Sequence, residues 1–111
     1  MHPEFSPTVY VLASRRNGTL CTGVTSNLLA RIHQHREGVV RGFARDHGVK
    51  LVVWFEQHAT MESAILREKR IKKWNRAWKL ALIEQSNPDW RDLAEDLGLE
   101  QIDSGFPLSQ E

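Results

Sequence analysis

Three runs decide how this chain folds: Thr8-Val9-Tyr10-Val11-Leu12-Ala13-Ser14, Arg15-Arg16-Asn17-Gly18 and Thr19-Leu20-Cys21-Thr22-Gly23-Val24. The first is dominated by β-branched and aromatic residues and reads as a strand. Asn17-Gly18 is the strongest short hairpin signal, because both residues accept the positive φ of a tight turn. The return run, 19–24, reads as a second strand, so the chain opens with an antiparallel β-hairpin.

Outward from the hairpin, Thr25-Ser26-Asn27 offers N-caps for a helix over Leu28–Glu37, with Gly38 as its C′ residue. Residues 38–48 carry three glycines and two arginines without a period and read as a loop. Val49 to Phe55 reads as a third, largely buried strand. Thr60 caps a second helix that runs to about Trp74, with Glu62 in the first turn, where the macrodipole favours an anion. A third helix begins near Ala77 and stops before Asn87-Pro88; Asp89 caps a short last helix to Leu97, which Gly98 ends. The order β-β-α-β-α-α-α predicts one α/β (α+β) domain over residues 1–98, with three strands covered by helices. Residues 99–111 read as a loosely held acidic tail.

Composition narrows the class. With 111 residues, 41% hydrophobic and 26% charged, the chain is neither disordered, collagen-like nor a membrane protein. No apolar run approaches the roughly 18 residues of a spanning helix. Met1 to Phe5 lacks the basic stretch and apolar core of a signal peptide. The single cysteine, Cys21, excludes an internal disulfide and a Cys-only zinc site, and suits a reduced cytoplasmic setting. No zinc spacing, Walker loop or dinucleotide fingerprint is present, which argues against a dinucleotide cofactor. Ser14, Ser26 and Ser63 lack a nucleophile-elbow context, and His58 with Glu62 four residues on is a weak metal signal.

The net charge of +1 conceals a division. Residues 1–83 hold 14 Lys/Arg against 6 Asp/Glu, whereas residues 84–111 hold Arg91 against 8 Asp/Glu. This reads either as a basic working surface with an acidic appendage or as two parts folded onto each other. Between Arg67 and Lys79 stand seven cations and one anion, Glu68. Lys69, Arg70, Lys72, Lys73, Arg76 and Lys79 exceed what solubility needs, and phosphate is their natural counter-charge. The interleaved Trp74 and Trp78 read as core residues of that helical region.

Two further features carry chemistry. Arg31 and His35 are four apart and meet on one helix face, whether as a solvated pair or as a site. Met61, Ala64 and Ile65 form an apolar stripe on the second helix, and Glu68 continues it. A carboxylate there is costly unless paired or bound to a cation. It is either a core-edge Glu paired with Arg or Lys, or a ligand for a hard divalent ion.

Together, Val9-Tyr10-Val11, a short hairpin, Cys21-Thr22-Gly23, Arg31, His35, a third strand and the Glu68 helix with its basic end resemble the GIY-YIG nuclease family. In particular they resemble its small stand-alone bacterial members, the UPF0213 or YhbQ-like proteins. Val24-Thr25-Ser26-Asn27-Leu28, Arg67-Glu68-Lys69 through Ala77-Trp78-Lys79, and Asn87-Pro88-Asp89-Trp90-Arg91-Asp92-Leu93 extend the likeness over roughly residues 7–97. The resemblance implies a three-stranded antiparallel sheet flanked by helices and metal-dependent hydrolysis of a DNA phosphodiester. It implies catalytic roles for Tyr10, Arg31, His35 and Glu68, with Glu68 holding one Mg²⁺ or Mn²⁺ and Gly23 as the second-motif glycine. Three positions depart from the family pattern. Thr8 stands for the first-motif glycine, and Lys79 falls near the family asparagine, with Asn75 close but misaligned. Cys21 stands where the family has the second-motif tyrosine. The implied function is a DNA endonuclease weakened by Cys21; the alternative is a catalytically degenerate nucleic-acid-binding module on the same fold.

Overall fold

The computed structural model describes residues 6–37 and 50–97, with the side chains of 35–37 and 96–97 outside that description. Three strands, β1 (Thr8–Ala13), β2 (Leu20–Thr25) and β3 (Leu51–Gln57), form an antiparallel sheet in the order β2-β1-β3. Helix α1 spans Leu28–Glu37, α2 Met61–Lys73 and α3 Arg76–Ser86, and a 3₁₀ helix covers Leu93–Leu97. The predicted α+β order holds. The expected loop over 38–48, the cap at Gly38, Val49, Gly98 and the tail 99–111 fall outside the described residues. Among those described, no helix is long and apolar enough to cross a membrane.

β1 is the central strand and all six of its residues are buried. Alternation therefore divides the core in two. Val9, Val11 and Ala13 pack with Val53 and Trp54 against Ala64, Ile71 and Ile83 of α2 and α3. On the opposite face Tyr10, Leu12 and Val52 pack against Leu28 and Ile32 of α1 and Ala94 of the 3₁₀ helix. A bulge between Val11 and Leu12 pairs Trp54 with Val11 and Val52 with Leu12, so Val53 is the extra residue.

The turn differs in detail from the expected two-residue loop. Gly18 N–H donates to the Arg15 carbonyl at 2.9 Å, so Arg16 and Asn17 are central, and Asn17 takes φ 58°. The short polar Asn side chain tolerates this conformation. Asn27 caps α1 through its Oδ1, which accepts from Ala30 N–H at 3.1 Å, and Thr60 caps α2 by accepting from Ser63 N–H at 3.1 Å.

The C-terminal segment needs correction. The last helix is a 3₁₀ turn, and its cap is Asp92 rather than Asp89: Asp92 Oδ1 accepts from Ala94 N–H and from Val52 N–H, both at 3.1 Å. The second bond reaches the strand beside the bulge, where the ladder is interrupted. Asn87 complements it, donating to the carbonyls of Val53 at 3.1 Å and Arg91 at 2.9 Å. The Asn87–Leu93 run thus ties α3 and the 3₁₀ helix to β3.

Candidate active site

The site begins with two facing strand residues. Tyr10 lies opposite Gly23 in the β1–β2 ladder, and its ring covers the glycine. A Cβ on residue 23 would meet the Tyr10 hydroxyl oxygen at 2.5 Å and Cζ at 2.6 Å, so Gly23, lacking a side chain, makes room for the phenol. Leu12 faces Cys21, two residues from Gly23. The strand period of two therefore sets Cys21 and Tyr10 on the same face of the sheet.

Arg31 enters from α1, whose first turn follows β2 after the Asn27 cap. Its guanidinium donates to the Tyr10 phenolic oxygen. Burial pushes the Tyr10 phenol up, and Arg31 opposes it with a smaller downward pull; Cys21 and Glu68 add to the rise. Burial likewise raises the Cys21 thiol, with Lys72 pulling it down and Glu68 pushing it up. Both groups are therefore neutral near pH 7, and both sense the carboxylate on α2.

Glu68 is buried, with 9% of its surface exposed. Lys72, one turn on, brings Nζ to 2.7 Å from its Oε2. The stripe that carries Glu68 differs from the expected one. Ala64, Glu68 and Ile71 are buried, whereas Met61 and Ile65 lie on the exposed side of α2. Tyr10, Cys21, Arg31, Glu68 and Lys72 thus converge from four elements, β1, β2, α1 and α2. His35 belongs to α1, and its side chain lies outside the described residues. Among the described residues no group of three or more His, Cys, Asp or Glu side chains is placed to hold a metal. Any hard cation at Glu68 would have one protein carboxylate and draw the rest of its shell from water and phosphate, which suits Mg²⁺.

The basic segment is less uniform than its sequence. Lys69, Arg70 and Lys73 are exposed on α2. Lys72 is the ion partner of Glu68. Arg76 Nη2 donates to the carbonyls of Asn17 and Gly18, both at 2.7 Å, and clamps the hairpin turn. Lys79 is half-buried in α3. Asn75 is the N-cap of α3, its Oδ1 accepting from Trp78 N–H at 2.9 Å. Trp74 is half-buried, but Trp78 is 58% exposed and is not a core residue.

A polar cluster elsewhere is not legible in the sequence. Glu56 Oε1 lies 2.7 Å from His58 Nε2 and accepts from Arg67 Nε at 3.2 Å. Arg67 in turn lies over the rings of Trp54 and Trp74, at 5.9 and 5.4 Å from their centroids. His58 Nδ1 meets Ser63 Oγ at 2.9 Å, so its partners are Glu56 and Ser63 rather than Glu62.

Comparison with known proteins agrees with this fold. Residues 6–81 match the GIY-YIG catalytic domain. A UPF0213 protein of Staphylococcus haemolyticus is 32% identical over 77 residues, covering 69% of this chain and 93% of the relative. Another, from Clostridium perfringens, is 37% identical over 79 residues, covering 71% and 84%. The solution NMR structure of a UPF0213 protein from Bacillus halodurans shares the fold, with a TM-score of 0.51 at 23% identity over 81% of this chain and 95% of that one. The chain belongs to the GIY-YIG family, in its UPF0213 branch.

Proposed function

We propose that this protein is a cytoplasmic, divalent-metal-dependent endonuclease that hydrolyses DNA phosphodiester bonds, slowed by the thiol at position 21. The observation that carries the reading is the Tyr10–Arg31 pair within electrostatic reach of the buried Glu68 carboxylate. A purely structural hairpin has no need of a guanidinium and a buried carboxylate acting on one buried phenol.

Glu68 would hold the ion, Mg²⁺ or Mn²⁺, which supplies charge neutralisation at the scissile phosphate and a more acidic water. Arg31 holds a phosphoryl oxygen through its charged N–H donors and stabilises the charge that develops there. Tyr10, kept protonated by burial, orients the phosphate or the attacking water as a hydrogen-bond donor rather than as a base. Cys21 is also protonated and takes no proton near neutrality. That leaves His35, one turn after Arg31 in sequence, as the side chain assigned to proton transfer. The exposed Lys69, Arg70 and Lys73 hold the flanking DNA backbone.

The test is incubation with end-labelled single- and double-stranded DNA in Mg²⁺, Mn²⁺ and EDTA, for the wild type and Glu68→Gln. Metal-dependent products are expected from the wild type, and none from a Glu68→Gln protein with an unchanged melting curve. Cleavage by Glu68→Gln at the wild-type rate would refute the assignment. A second reading rests on Lys72 neutralising Glu68 and on the absence of a phenol at 21: a non-catalytic DNA-binding module. DNA binding without products in any metal would favour it.

A further inference from the structure

Trp78 is 58% exposed, on an α3 whose other side is buried through Ile83. Scattered exposed apolar residues need no explanation, but Trp78 is part of a built surface. Trp74 stacks on it edge to face, with ring centroids 6.0 Å apart and planes at 81°. Trp74 is itself held by Arg67, and Arg67 by Glu56 of β3, so the ring pair is braced from the sheet. Trp78, Ala81, Leu82 and Gln85 follow helical spacing along α3 and, with Trp74, line an open cleft of about 570 Å³. Its walls are apolar apart from the Gln85 amide, which carries both donors and an acceptor.

Cations adjoin both tryptophans in sequence, while at the far end Glu84, next to Gln85, accepts from Trp90 Nε1 at 2.8 Å. Arg70 lies one turn before Trp74, Lys73 precedes it, and Lys79 follows Trp78. An apolar protein partner would gain nothing from these charges, whereas a nucleic-acid strand presents flat π-faces joined by phosphates. We propose that the Trp74–Trp78 cleft is a stacking site for an unpaired nucleobase, flanked by Lys73 and Lys79 on the backbone phosphates. The proposal rests on the nucleic-acid reading above and adds a substrate class: strands with unpaired bases. In a duplex the base faces are occupied by neighbouring pairs, so the site selects single-stranded or frayed segments.

The experiment measures anisotropy in EDTA with two labelled 12-residue DNA strands carrying equal numbers of phosphates, one with bases and one abasic. Wild type, Trp78→Ala and Trp78→Phe are compared. A stacked base contributes enough for the wild type to prefer the base-bearing strand by at least about fivefold. Trp78→Ala should lower that affinity to the abasic level and leave abasic binding unchanged, while Trp78→Phe keeps most of the preference. If Trp78→Ala binds both strands as the wild type does, stacking is refuted while the nucleic-acid reading stands. Should the wild type bind neither strand, both readings fall. If Trp78→Ala alters only self-association in sedimentation velocity, the cleft is a protein contact and the proposal is overturned.

Discussion

Lys72 Nζ lies 2.7 Å from Oε2 of Glu68, and the lysine is 55% exposed at its side chain where the glutamate is only 12% exposed. The ammonium reaches inward along the helix and partly answers the cost of the buried carboxylate. It would also compete with any divalent cation for that carboxylate. Lys72→Met keeps the stem and removes the charge. Stability should fall by about 1–2 kcal/mol, since a buried acceptor loses its donor. Mn²⁺ binding by calorimetry should tighten several-fold, because the carboxylate no longer has a competing cation. Equal Mn²⁺ affinity in the two proteins would mean that the lysine and the metal do not share Glu68.

The exposed cations and the clamp should separate cleanly. Replacing Lys69, Arg70 and Lys73 with Ala should flatten the salt dependence of DNA binding by roughly one log-log unit for each phosphate no longer neutralised. Arg76→Ala should instead cost about 1 kcal/mol of stability by freeing the Asn17 and Gly18 carbonyls, with the salt slope unchanged. A reduced slope in Arg76→Ala would make it a DNA-binding residue after all.

Gly23→Ala tests the seat of the phenol. The added methyl would arrive 2.5 Å from the Tyr10 hydroxyl oxygen, so ring or strand must move. Overpacking of this kind costs about 1–3 kcal/mol. Urea unfolding should report that loss, and any cleavage should fall with it because the Tyr10–Arg31 hydrogen bond is displaced. Unaltered stability would indicate that the ring swings away without strain.

How far these features are legible in the sequence depends on the distance between partners. The hairpin and the caps at Asn27 and Thr60 are local, so residue type and spacing are enough. Tyr10, Cys21 and Arg31 can be gathered because a hairpin and the helix that follows it fix three elements together. The buried stripe on α2 escapes a periodicity argument because both sides of that helix carry apolar residues. Met61, Ile65 and Leu66 are exposed while Ala64 and Ile71 are buried, and periodicity cannot rank two competing faces. Arg67 and Arg76 look like generic cations in sequence because their partners, Glu56 and the Asn17–Gly18 carbonyls, lie far along the chain. Trp78 looks like a core residue because hydrophobicity does not record which side of a helix the fold leaves uncovered.

Cys21 offers the sharpest test of the catalytic reading. It stands on the same sheet face as Tyr10, is half-buried, and senses both Glu68 and Lys72. A phenol at this position would extend toward the same carboxylate and the Tyr10–Arg31 pair, where a thiol stops short by most of an aromatic ring. The thiol is also held protonated by burial, so it offers neither reach nor a base. General-base or equivalent assistance is worth about 10²–10⁴-fold in rate. Cys21→Tyr should therefore raise Mg²⁺-dependent cleavage at least about tenfold over the wild type. DNA affinity should change little, because the exposed cations of α2 are untouched. Cys21 is only half-buried at the edge of its core cluster, so the ring enters a partly open position and a normal melting curve is expected. If the variant folds and cleaves no faster, the missing tyrosine does not limit the reaction. Glu68→Gln in the Cys21→Tyr background should then lose that cleavage if His35 and Arg31 already suffice with the metal. Continued silence of Cys21→Tyr in every metal would instead identify the protein as a binder.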